Sequence, residues 1–307
     1  FSQWDFKPEV GQTLVLHISP TSHGFDANIM GLSRQGNLLI LFLIFFALLL
    51  AFGRKKGILS LVSLIVSGVI IYIFFIPLVL EGYDIMLLTV LTAIAVITIS
   101  FVIISGFTKK SLASILGTIC GIISAVVLSE VFCRVSGITG AISEEVYLLA
   151  SEGGVDIDFA SLFISGIIIG TIGVVMDVSM SITSLIIELK GNPPEVGSRL
   201  VASGLNVGKD MMATMINTLI LAYVGVSLPL LFVFITRSSS LTYAINTEEV
   251  AAEIIRSLCG SIGLILTVPL TSLIASYIIM HSGNRIKRLS TRRSGKCRSG
   301  MSRPRSP

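Results

Sequence analysis

Two acidic residues set in apolar surroundings, Asp177 and Asp210, are where this chain can do chemistry. In GIIIGTIGVVMDVSMSITSLIIEL, Gly166, Gly170, Gly173, Asp177, Ser181, Ser184 and Glu188 recur at steps of three and four, which places them on one face of a helix. In the segment that follows, Asp210, Thr214 and Asn217 recur at steps of four and three among Met, Ile and Leu. Carboxylates flanked by neutral oxygens bind hard cations or pass protons, so Asp177, Ser181, Asp210, Thr214 and Asn217 form a candidate ion, proton or substrate site. A competing reading makes Asp210 the N-cap of its helix, where a carboxylate satisfies free backbone N–H groups. Gly166, Gly170 and Gly173 are candidate helix-packing positions, because small residues let backbones approach. Glu188 falls near the end of its segment, within reach of Lys190 or Arg199.

The elements that must hold these residues are membrane spans. Of 307 residues 53% are hydrophobic and 13% charged, and the mean hydropathy is +0.91. A soluble chain so apolar has too little polar surface to cover itself. Hydrophobic runs of about bilayer length are expected at 38–52, 58–80, 85–105, 111–132, 159–189, 211–235 and 257–280. The fold class expected is therefore all-α, a polytopic helical membrane protein with about seven transmembrane helices. Residues 1–36 read as a small extracytoplasmic segment with strand-like alternation from Val10 to Ile18. Residues 37–283 read as the transmembrane domain, and 284–307 as a basic, disordered cytoplasmic tail. A short interfacial helix is expected at 142–150, and residues 190–209 as a polar loop.

Lysine and arginine placement orients the spans. Arg54, Lys55, Lys56, Lys109, Lys110, Lys190, Arg199, Lys209 and the nine basic residues of the tail share one side, and five others fall opposite. By the positive-inside rule the first side is cytoplasmic, so the N-terminus is expected outside and the C-terminus in the cytoplasm of a multi-pass cell-membrane protein. The formal charge of +4 comes mostly from the tail and does not point to nucleic acid. Cys120, Cys133, Cys259 and Cys297 show no metal or disulfide spacing, and His17, His23 and His281 are scattered. The string from Gly204 to Asp210 lacks the residues of a phosphate loop and follows no strand. No catalytic residue and no cofactor is assigned.

VMDVSMSITSLIIEL (Val175 to Leu189) and SGLNVGKDMMATMINTLILAYVG (Ser203 to Gly225) give the chain a resemblance to the YibE/F family of bacterial multi-pass membrane proteins. RKKGILSLVSL (Arg54 to Leu64), IPLVLEGYD (Ile76 to Asp84), ITGAISEE (Ile138 to Glu145) and GIIIGTIG (Gly166 to Gly173) extend it over roughly residues 8 to 280. The resemblance implies an extracytoplasmic N-terminal part followed by seven or so helices, and no established activity. The tail from Asn284 departs from the pattern.

Three functions compete at this point. A transporter or permease for an ion or small solute would use the two carboxylates to couple cation movement to a conformational change. A scaffold or partner subunit would use the same polar stripes only to join helices. An intramembrane hydrolase would use the carboxylates as an aspartic dyad, although Asp210 follows Val207-Gly208-Lys209 and not the Gly-x-Gly-Asp of intramembrane aspartyl proteases. The partners implied are the lipid bilayer, an unknown small solute or cation, and a second copy or another membrane subunit at the small-residue faces.

Overall fold

The computed structural model describes residues 9–21, 24–151, 157–189, 197–236 and 240–298, with side chains described only as far as 281. Two compact units divide the chain between Leu61 and Val62.

The first unit holds an antiparallel hairpin, β1 (Leu14–Thr21) and β2 (Gly24–Leu32), paired from Leu14 opposite Leu32 to Thr21 opposite Gly24 with a bulge between Val15 and Leu16. The strand expected before Pro20 thus continues through it, and a second strand follows that no alternation had marked. Helix α1 (Gln35–Ile70) begins in this unit and is interrupted at Arg54, whose φ of 46° and ψ of −134° lie outside the helical region. The interruption is sharp. Eight residues of unbroken helix would separate Leu49 from Gly57 by about 12 Å, yet a β-carbon at Gly57 would stand 3.3 Å from Leu49 Cγ. Only glycine leaves room for that approach.

The second unit is a helix bundle. After α1 come a π-helical turn (Ile71–Phe75) and α2 (Ile76–Leu80). Pro77 lies in the first turn of α2, where its missing N–H is harmless, and the widened turn before it relieves the clash of its ring with the preceding carbonyls. Helix α3 (Ile85–Ser105) is capped by Asp84, which accepts from the Leu87 N–H at 2.7 Å. Helix α4 (Lys109–Ser136) is capped by Thr108, which accepts from the Ser111 N–H at 3.1 Å, and ends at Gly137 in the left-handed conformation. Short α5 (Glu144–Ser151) precedes α6 (Phe159–Leu189), whose first turn donates to Asp158 from the Ala160 and Ser161 N–H groups. Then come α7 (Gly197–Val226), α8 (Leu228–Thr236), α9 (Leu241–Ile245) and α10 (Glu248–Arg298). Residues 299–307 of the basic tail, and Pro193-Pro194, fall outside the described residues.

Helix α10 packs against α4, α6 and α7, and α6 packs against α3, α4 and α7. The seam is small and hydroxylic. A β-carbon at Gly117 would lie 2.9 Å from Thr271 Cβ and 3.0 Å from Ser179 Oγ, one at Gly121 3.0 Å from Thr267 Cβ, and one at Gly263 2.6 Å from Ala125 Cβ. Ser179 donates to the Ser114 carbonyl at 2.9 Å and accepts from Thr271 at 3.3 Å; Thr89 and Ser165 pair across α3 and α6. With no hydrophobic drive between helices in lipid, close approach at glycine and such hydroxyl bonds supply the cohesion.

Length and apolarity mark five spans among the described residues, and six when α7 and α8, bent by 58°, are taken as one. The expected count of seven further requires the 46 residues Gln35–Leu80 to be cut at Arg54. The boundaries expected for α3 and α6 coincide with the observed ones. The sixth and seventh differ. Helix α7 starts fourteen residues earlier than expected, because Gly197 to Lys209, polar in composition, carries Leu200, Gly204 and Gly208 on one buried face. Helix α10 starts at Glu248, nine residues early, with its charged first turns built into the bundle.

Candidate functional site

The structure turns both sequence-predicted stripes away from the core of the bundle. Asp177, Gly166, Gly170 and Gly173 lie on the exposed face of α6, opposite the buried Val175, Val178 and Ile182, and Ser181 at its margin is partly covered. Asp210, Thr214 and Asn217 are likewise exposed on α7, whose buried side carries Leu200, Gly204, Gly208 and Leu219. Exposed here means uncovered by the rest of the chain. A β-carbon at Gly166 or Gly173 meets nothing within 4 Å, and at Gly170 it meets only the Tyr223 side chain, its hydroxyl at 3.0 Å. The close-packing glycines are Gly117, Gly121, Gly204, Gly208, Gly260 and Gly263 instead.

The two helices run antiparallel, with Gly208 against Ile182, Gly204 against Ile186 and Tyr223 against Gly170. Along that register Asp177 stands level with Thr214, to within a turn. Among the described residues no hydrogen bond or ion pair joins a member of one stripe to a member of the other. Thr214 donates to the Met211 carbonyl of its own helix at 2.8 Å. Asp210 is not an N-cap: it lies mid-helix, thirteen residues beyond Gly197, so the capping explanation of its carboxylate fails. Glu188 is exposed near the end of α6. Glu130 and Arg134 form an ion pair on the surface of α4.

A second cluster, whose Glu253 and Arg256 fall between the expected sixth and seventh spans, lies where α4 ends and α6 and α10 begin. Arg256 is 3.5 Å from Glu253, one turn earlier on α10, with both side chains about three-quarters covered. The guanidinium stands 4.9 Å over the Phe163 ring of α6, a geometry that favours a cation. Tyr223 of α7 buries its hydroxyl beside Thr171, Glu253 and Arg256. Ser227 occupies the break between α7 and α8, and its hydroxyl, Glu253 Oε2 and Arg256 Nε are buried without a hydrogen-bond partner among the described residues. Buried polar atoms in that state normally bond water or a ligand. These groups border a cleft of about 440 Å³, lined also by Glu249, Phe159, Phe163 and Gly166.

The cleft wall is fixed by local bonding. Glu248 Oε1 accepts from the Thr139 N–H at 2.6 Å, the Thr139 hydroxyl at 2.7 Å and the Gly140 N–H at 3.1 Å, tying the first turn of α10 to the loop after α4. Gly140 has a φ of 81°, and a β-carbon there would strike the Phe159 backbone, 2.7 Å from the Ala160 nitrogen, so glycine is required twice over. The sequence signal for this site was the i,i+3 pair Glu253 and Arg256, which reads as loop charge unless the helix is extended upstream. Among the described residues no three His, Cys, Asp or Glu converge as a metal site, and Cys120, Cys133 and Cys259 are free thiols.

Apolar helices of bilayer length, joined through glycine and hydroxyl contacts and keeping the partly buried Glu253–Arg256 ion pair at one end of the bundle, define an integral, polytopic helical membrane protein. The chain belongs to the YibE/F-like protein family, whose model matches residues 41–281. No curated protein and no solved structure matches it.

Proposed function

We propose that the protein is a transporter or permease for an ion or small solute, lying in the cell membrane with its N-terminus outside and its C-terminus in the cytoplasm. The observation that carries this reading is the 58° break between α7 and α8 beside the 440 Å³ cleft that holds the Glu253–Arg256 pair. Transporters bind solutes where a span is interrupted, because freed backbone groups and half-helix ends face the ligand there. Gly166 lines this cleft, and Asp177 lies about 16 Å further along the same open face of α6. An ionisable group at that depth costs at least ~2.5–3.5 kcal/mol against lipid, which favours water, a cation or a protein partner beside it.

The test is flux into proteoliposomes. Wild-type protein should move a solute, a cation or protons, Asp177→Asn should fold and lose coupled movement, and Asp210→Asn should show whether the second carboxylate takes part. Full activity of the double Asn variant would remove both carboxylates from the mechanism. For orientation, single cysteines at Asn192 and Lys109 should label from the cytoplasm and one at Glu248 from outside, in a background without native cysteines.

The open glycine face supports a second reading, a scaffold or partner subunit, since α6 presents at Gly166 and Gly173 a small-residue surface that nothing among the described residues fills. In that case Asp177→Asn retains function and no flux is found.

A further inference from the structure

The cleft between α6, α8 and the first turns of α10 has a charge and hydrogen-bonding pattern that selects its occupant. Two carboxylates, Glu249 and Glu253, and one guanidinium, Arg256, line it. Glu253 and Arg256 compensate one another, and Arg256 is further held over the Phe163 ring. Glu249 has no hydrogen bond or ion pair among the described residues, and the second oxygen of Glu253 is buried without a donor. Among the described residues the site therefore carries one uncompensated negative charge and more free acceptors than donors, the buried Arg256 Nε–H and Ser227 hydroxyl standing against three carboxylate oxygens. Phe159, Leu162, Phe163 and Leu230 make the remaining wall apolar. A small anion would meet two carboxylates, and a fully hydrated inorganic cation would lose water against apolar wall without gaining a cage of oxygens.

We propose that this cleft binds a small organic ammonium ion, a primary amine bearing a short apolar body, with its N–H groups on Glu249 and Glu253 Oε2 and its body against Phe159 and Phe163. Charge-assisted N–H···O bonds to carboxylates orient the head group, and the aromatic walls favour both the alkyl chain and the adjacent positive charge. Ser227, at the break in the span, offers its hydroxyl to the same head group. The inference rests on the transporter reading for its biological sense, while the binding itself stands apart from transport.

The experiment is equilibrium dialysis of radiolabelled n-butylammonium against the full chain in detergent, in competition with n-butanol, butyrate, tetramethylammonium and sodium. Saturable binding, displaced by unlabelled butylammonium and by none of the neutral or anionic analogues, is expected. Glu249→Gln should weaken it about tenfold, the worth of one charged hydrogen bond, and Ser227→Ala less. Glu188→Gln, at the opposite end of α6, should leave it unchanged. Because Glu249 has no partner to lose among the described residues, its variant should unfold at the wild-type temperature, so a loss of binding reports on the site. Non-saturable binding, equal binding by Glu249→Gln, or stronger binding of butyrate would overturn the proposal. Saturable binding without flux in proteoliposomes would leave the site standing and remove the transporter reading; flux of another solute with no amine binding would do the reverse.

Discussion

Helix α6 meets glycines on one side and presents its own on the other. Toward α4 and α10 it is buried, with Val175 and Ser179 fitted against Gly121 and Gly117 and with Thr171 against Gly260. On its opposite side Gly166 and Gly173 face open space. Both sets of glycines fall at helical spacings in the sequence. Spacing alone therefore does not separate a glycine that admits a neighbouring backbone from one that leaves a surface bare, and the position of the absent β-carbon does.

The largest effect that would test this contrast is steric. Gly263→Leu should abolish the folded protein, since even a β-carbon there would stand 2.6 Å from Ala125 Cβ, whereas Gly173→Leu should express and elute from size exclusion as wild type does. Next in size, Gly121→Ala should destabilise by about 1–3 kcal/mol, the usual cost of overpacking, read as a fall in the thermal unfolding midpoint in detergent. Removing the buried hydroxyl pair of Thr89 and Ser165 by Thr89→Val should cost about 0.6–1.7 kcal/mol; a double-mutant cycle with Ser165→Ala assigns that loss to their mutual bond. The smallest effect belongs to Gly173→Ala, within about 0.5 kcal/mol of wild type. If Gly173→Ala instead costs as much as Gly121→Ala, the bare face is covered in the assembled protein and a second copy or another subunit is its cover.

What could be read in advance follows from which signals a bilayer leaves in a sequence. Helices α3 and α6 were legible to the residue because each is an uninterrupted apolar run with a helix-starting acid before it, Asp84 and Asp158. Which face of α6 lies inside was not. In water the polar face points outward, but here buried Ser179, Thr171 and Thr183 line the interior and leucine or glycine can equally face lipid. The stripe through Asp177 was visible as a stripe and silent about its direction. The start of α7 was hidden because the residues from Gly197 to Lys209 have a loop's composition and a helix's periodicity. Counting Asp210 as a cap followed from that boundary and fell with it. Glu253 and Arg256 were hidden for a related reason: a charge pair ends a hydropathy window although, one turn apart over a phenylalanine ring, it lies comfortably inside a helix.

The three hydrogen bonds that Glu248 accepts join residues 108 and 109 positions apart. A ribosome feeding this chain into a membrane delivers α4 and its following loop first and α10 as the last apolar segment of the described residues. Until that delivery Thr139 and Gly140 have no carboxylate to hold them, Gly121 lacks Thr267, and Gly117 and Ser179 lack Thr271. The nascent bundle is thus an open shell with polar seams exposed to lipid, the state that insertion chaperones and quality-control proteases recognise. A stop codon or frameshift before Glu248 would yield a product with its earlier spans inserted and no cleft at all, one the cell clears before it can compete with the intact protein.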